Sequence, residues 1–170
     1  HLSIRRQRQM CIRDSGYTGD LPGEDYDPAY VRPHNMWGCS NAQIFSDVSP
    51  EMHWDFAIKH DLRWLKRWGL AYYGCCEPLD KKISLLRRIP NLRKISVSCW
   101  NNLDRIVGEV GGDYVLSYKP SPAIFVEEAW NPAQARRDLW QLVERDKGAC
   151  HVEFIMKDIS TVRYRPQNLW

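Results

Sequence analysis

Trp54, Ile58, Leu62, Leu65 and Trp68 recur at steps of three and four residues, the spacing that lines one face of an α-helix. Ahead of them, Ser49-Pro50-Glu51 supplies an N-cap serine, a proline in the first turn and an acid beside the helix dipole. Gly69 supplies the stop. A helix is therefore expected from about Pro50 to Trp68, preceded by a short strand over Ala42 to Ser46. Downstream the pattern switches repeatedly between periods. It predicts strand Leu70 to Gly74, helix Leu79 to Arg88, strand Arg93 to Ser98, helix Leu103 to Val110, strand Tyr114 to Lys119, helix Pro132 to Lys147 and strand His151 to Lys157. Pro166 to Trp170 reads as the opening of one more helix.

Strands that alternate with helices of this size predict an α/β fold with a parallel sheet of βαβ units. Five strands and four helices that begin in a loop and stop inside a helix predict part of a TIM (β/α)8 barrel, its C-terminal half, truncated at both ends. The whole barrel takes about 250 residues. A fragment of this kind exposes two strand edges, so alone it is expected to be inactive and to associate or melt early. The competing architecture is an open doubly wound sheet. No Gly-rich βα turn of the dinucleotide type and no P-loop supports it, and Gly111-Gly112 precedes a strand, where it reads as a turn.

Charge changes the picture at one end only. The 170 residues carry a formal +3, but residues 1–15 hold Arg5, Arg6, Arg8 and Arg13 against Asp14, so the remainder is near neutral. Within that arm, Met10-Cys11-Ile12-Arg13-Asp14-Ser15 back-translates to a sequence that resembles a transposase adapter from library preparation. Residues 1–15 are therefore expected to be a disordered adapter scar rather than a basic nucleic-acid arm. Residues 16–35 read as a loop or connector and 36–170 as the folded part. No nucleic-acid or membrane partner is expected. Six cysteines with the adjacent pair Cys75-Cys76, no signal peptide and no long apolar run point to a reducing cytoplasm.

In a parallel barrel the chemistry stands just beyond the C-terminal ends of the strands. Those places hold Asp47; Cys75, Cys76 and Glu77; Cys99, Trp100 and Asn101; Lys119 and Ser121; and Lys157, Asp158 and Ser160. Tyr73-Gly74-Cys75-Cys76-Glu77 is the sharpest element, because a glycine permits close approach and a thiolate binds soft metals or attacks electrophiles. Cys75, Lys157 and Asp158 are the candidate catalytic residues. Tyr73, Trp100, Lys119 and Ser121 are candidate substrate contacts, and Cys75, Cys76 and Glu77 candidate metal ligands. Buried cysteines also serve as small hydrophobes, and two neighbours on a strand would point to opposite faces. Glu153, Ile155 and Lys157 should share one face of the last strand, where Glu153 needs a cationic partner, with Lys119 the nearest choice. The histidines form no ligand motif, and His53 and His60 fit helix packing or solvent.

Phe45-Ser46-Asp47-Val48-Ser49-Pro50-Glu51-Met52 running into a long helix, Leu70 to Glu77 as strand plus thiol turn, and Lys157-Asp158-Ile159-Ser160 together resemble the uroporphyrinogen decarboxylase superfamily over about residues 36 to 170. The resemblance implies one of two activities. Its methyltransferase branch holds a zinc that activates a thiol toward a methyl group carried by a corrinoid protein. Cys75 matches that branch's cysteine, but Tyr73 stands where it has a histidine, and Met156-Lys157-Asp158 where it has a further cysteine. Its metal-free decarboxylase branch binds a carboxylated tetrapyrrole; the arginine motif of that branch lies near its N-terminus, outside this chain, and Lys157-Asp158 replaces its last glycine-histidine-glycine. The expectation leans to thiol or metal-assisted methyl transfer with zinc and a corrinoid partner protein. A non-catalytic, barrel-derived binding protein is the alternative of another class.

Overall fold

The computed structural model describes Leu21, residues 24–157, Ile159 and residues 161–169. The expected adapter segment, Asp158 and Ser160 lie outside the described residues. Five strands form one all-parallel sheet in chain order: β1 Trp37–Ser40, β2 Leu70–Tyr73, β3 Leu92–Ser98, β4 Val115–Lys119 and β5 His151–Phe154. Between β1 and β2 the chain runs through α1 Pro50–His53, a π-helical turn Trp54–Ile58 and α2 Lys59–Leu65. The later connections carry α3 Ile83–Leu86, α4 Leu103–Val110 and α5 Pro132–Asp146. Among the described residues, no helix is long and apolar enough to cross a membrane.

Local chemistry sets the helix ends. Ser49 Oγ accepts from the Met52 N–H, Asn102 Oδ1 from the Arg105 N–H and Asn131 Oδ1 from the Gln134 N–H, each satisfying a donor the helix itself leaves open. Pro50 and Pro132 open their helices, and Lys147 closes α5 in the left-handed region at φ 49°.

Pairing registers divide the sheet into two chemically distinct faces. Ala71, Tyr73, Ile95, Val97, Leu116 and Tyr118 pack with Ile58, Leu65, Ile83, Leu86, Ile106 and Leu142 from the helices in one apolar core. Fully burying a Leu or Ile contributes about 2 kcal/mol, so this face holds the helices to the sheet. Tyr72, Lys94, Ser96, Ser98, Ser117, Lys119 and Glu153 alternate onto the other face. That face is polar, yet Lys94, Ser96 and Ser117 are fully buried.

The observed elements depart from the expected ones at several places. Ala42 to Ser46 is not a strand: Gln43–Phe45 is a 3-10 turn, and the first strand is Trp37–Ser40. Lys82 explains the difference, because its ammonium donates to the Phe45 and Ser46 carbonyls and holds this segment in a bend. Ile44 is left 87 % exposed. The helix expected at Leu79 starts at Ile83 instead, since Asn101 Oδ1 captures the N–H groups of Leu79 and Asp80. The helix from Pro50 keeps its stripe but ends at Leu65 and contains the π turn. β5 stops at Phe154, although the Ile155 N–H still bonds the Tyr118 carbonyl at 2.8 Å. Finally, Glu153 pairs with Lys94 at 2.8 Å, not with Lys119.

Candidate functional site

β2 ends at Tyr73, and Gly74 turns the chain at φ +102°, a conformation that favours glycine. A Cβ there would stand 2.6 Å from Leu79 Cδ1 and 2.9 Å from Ser96 Cβ, so the turn lies tight against β3. Cys75 comes next, and its main chain is held on both sides. Its N–H donates to Glu77 Oε2 at 2.8 Å. Its carbonyl accepts from the Ser96 hydroxyl and, at 2.9 Å, from Lys119 Nζ.

Lys119 is the clamp of this arrangement. From the end of β4 its ammonium also donates to Tyr72 Oη at 2.7 Å and to Ser96 Oγ at 2.6 Å, filling its three N–H bonds. Tyr72 Oη in turn approaches Ser117 Oγ at 3.4 Å. The polar face is therefore knit across β2, β3 and β4, and the knot ties down the Cys75 turn.

The Cys75 sulfur has two neighbours. Lys157 Nζ donates to it at 2.6 Å, and Cys76 Sγ lies 3.6 Å away. Cys75 and Lys157 lie beyond the ends of β2 and β5, which are three strand spacings apart. A flat sheet would separate those ends by about 14 Å. The contact therefore brings together the segments that follow β2 and β5. An ammonium beside a partly accessible sulfur is the setting in which cysteine acts as a nucleophile.

Cys75 and Cys76 do not diverge to opposite faces as two strand residues would. Both stand in the turn after Gly74, and their sulfurs lie side by side. Two thiolates on one tetrahedral zinc, each about 2.3 Å from it, stand about 3.8 Å apart, so the pair could fill two corners. Glu77, the third expected ligand, is buried with Oε2 engaged by the Cys75 N–H and Oε1 without a hydrogen-bond partner. No group of three or more His, Cys, Asp or Glu residues that could hold a metal is assembled among the described residues. The expected set of Cys75, Cys76 and Glu77 therefore does not by itself fit a zinc.

The remaining expected residues scatter. Tyr73 lies on the helix-covered face, fully buried, where its hydroxyl meets His53 Nε2 at 2.8 Å. Trp100 is 78 % exposed at the rim. Ser121 accepts from the Ala123 N–H at the start of a 3-10 turn over Pro122–Phe125. Sequence reasoning missed two groups. The first is the inner row of Tyr72, Lys94, Ser96 and Ser117; its signal was the alternation Lys94-Ile95-Ser96-Val97-Ser98, since strands buried on both faces normally read as continuous apolar runs. The second is His53 with Lys82. Lys82 Nζ lies 3.1 Å from His53 Nδ1, and as an ammonium it can only donate; His53 Nε2–H then donates to Tyr73 Oη. Burial, with the Lys82 charge beside it, pushes His53 down to about 4. Burial likewise lowers Lys82 and raises the Tyr73 hydroxyl.

Comparison with protein-family models, with curated proteins and with solved structures gave no match for this chain.

Proposed function

We propose that the chain forms the C-terminal strands and helices of a (β/α)8-type enzyme of the uroporphyrinogen decarboxylase superfamily, acting through the Cys75 sulfur on an electrophilic methyl carbon. The architecture is supported by the strand order β1-β2-β3-β4-β5, which never reverses, and by the apolar face that takes up the helices. A doubly wound sheet reverses its order and places its ligand crevice at the reversal. The chemistry rests on one observation, the 2.6 Å contact between Lys157 Nζ and Cys75 Sγ at the C-terminal mouth.

In this reading Lys157 balances the charge of the Cys75 thiolate until attack. The sulfur lone pair forms an S–C bond to the methyl carbon, and the bond from that carbon to its leaving group breaks with its electron pair on the leaving group. A corrinoid protein supplies the methyl group as substrate, its cobalt keeping the pair. Lys119 and Ser96 hold the Cys75 carbonyl and so fix the direction of the sulfur. Incubating the chain with methylcobalamin and mapping peptides by mass tests the reading. A methyl group gained on Cys75, and absent in Cys75→Ser, supports it; methylation spread equally over Cys39, Cys75 and Cys99 contradicts it.

A second reading is favoured by the Lys157 ammonium at the mouth, where a cation could hold a carboxylate of the substrate for metal-free decarboxylation. Release of carbon dioxide from uroporphyrinogen by both the parent chain and Cys75→Ser would select it.

A further inference from the structure

A cleft of about 410 Å³ lies at the same mouth, between the loops that follow β1, β2 and β3. Asp47 and Ser49 from the first loop, Asp80, Lys81 and Lys82 from the second and Trp100 from the third line it. Its size sits near the lower end for small-molecule sites, which run from about 300 to 1,000 Å³.

Asp80 is the unusual member. Only 7 % of it is exposed, its N–H is engaged by Asn101 Oδ1, and its carboxylate has no hydrogen bond or ion pair among the described residues. Asp80 lines the cleft, and its carboxylate oxygens are not among the fully buried unpartnered atoms, so the carboxylate is open to a ligand's cation or donor there. Lys82, in the same wall, is already committed: its three N–H bonds go to the Phe45 and Ser46 carbonyls and to His53 Nδ1. Lys81 is exposed at the edge. What remains for Asp80 is a cation from outside, and the cleft offers that cation the Trp100 indole as well. A carboxylate and an aromatic face together recognise ammonium groups, the ring quadrupole attracting the charge where the carboxylate neutralises it.

We propose that this cleft binds a small organic ammonium compound, its cationic head between Asp80 and Trp100 and its remainder toward Asp47 and Ser49. The site is independent of the chemistry at Cys75. Choline and its uncharged isostere 3,3-dimethylbutanol separate charge recognition from shape. Titrated calorimetrically into the full chain, choline should bind at least about tenfold more tightly than the alcohol. Asp80→Asn should abolish that preference, Trp100→Ala should weaken choline alone, and Lys81→Met should leave choline binding unchanged or tighter. Near-ultraviolet circular dichroism confirms the fold of each variant, and Trp100→Ala, at an exposed position, keeps the test open if Asp80→Asn fails to fold. Equal binding of the two compounds, no heat with choline, ethanolamine or putrescine, or magnesium binding in place of choline would each overturn the proposal.

Discussion

Lys94 on β3 and Glu153 on β5 meet at 2.8 Å over the intervening strand β4. The lysine side chain is fully buried and the glutamate side chain 23 % exposed. Ser117 on β4, which pairs with Glu153 on β5 and with Ser96 on β3, is small enough to let the two side chains close above it. This ion pair, with Lys119 bound to Tyr72 and Ser96, makes the inner face a polar network in place of a second apolar core.

Removing one partner of that pair should be far worse than removing both. Lys94→Met strands the Glu153 carboxylate and is expected to cost about 3–5 kcal/mol, whereas Lys94→Met with Glu153→Leu should recover most of it. Urea denaturation of the two variants and the parent chain measures the difference. Equal losses in the single and double variants would show that the pair contributes only as packing.

Stability should fall in acid through His53. Its folded value of about 4 lies below the unfolded 6.5, so between those limits the unfolded chain takes up a proton that the folded chain refuses. The stabilisation is complete above pH 6.5 and is lost as pH falls toward 4, by as much as about 3 kcal/mol. His53→Gln keeps an acceptor for Lys82 and a donor for Tyr73 but removes the titration. Urea midpoints taken between those pH values should slope for the parent chain and flatten for the variant; matching slopes would assign the acid loss to other groups.

Cys150 should be inert. Burial first, and then the Asp146 carboxylate beside it, push its thiol up to about 12. Cys39 and Cys99 are exposed. Timed alkylation at mildly alkaline pH, read by peptide mass, should label Cys39 and Cys99 well before Cys150. Early labelling of Cys150 would mean that the strand it precedes opens readily.

The alternating periods placed β2, β3, β4, α4 and α5 within a residue or two, because each has a buried face whose spacing is written in the chain. Elements decided by distant partners were not legible. The bend at Gln43–Phe45 depends on Lys82, and the late start of α3 depends on Asn101, neither of which neighbours the segment it governs. At the site, the position of Cys75 just beyond a strand end was readable. The identity of each lysine's partner was not, since each partner stands on a different strand or loop. Asp80 gave no signal at all: it reads as one more acid in a loop until its burial is seen.

Activation of Cys75 by Lys157 is read from the alkylation rate of Cys75 by iodoacetamide at neutral pH, followed site by site. The parent chain should be labelled at Cys75 faster than at the exposed Cys99, and Lys157→Met should slow Cys75 by about tenfold while leaving Cys99 unchanged. Cys75 labelling no faster than Cys99, or a rate that Lys157→Met does not alter, would show that Lys157 does not activate Cys75.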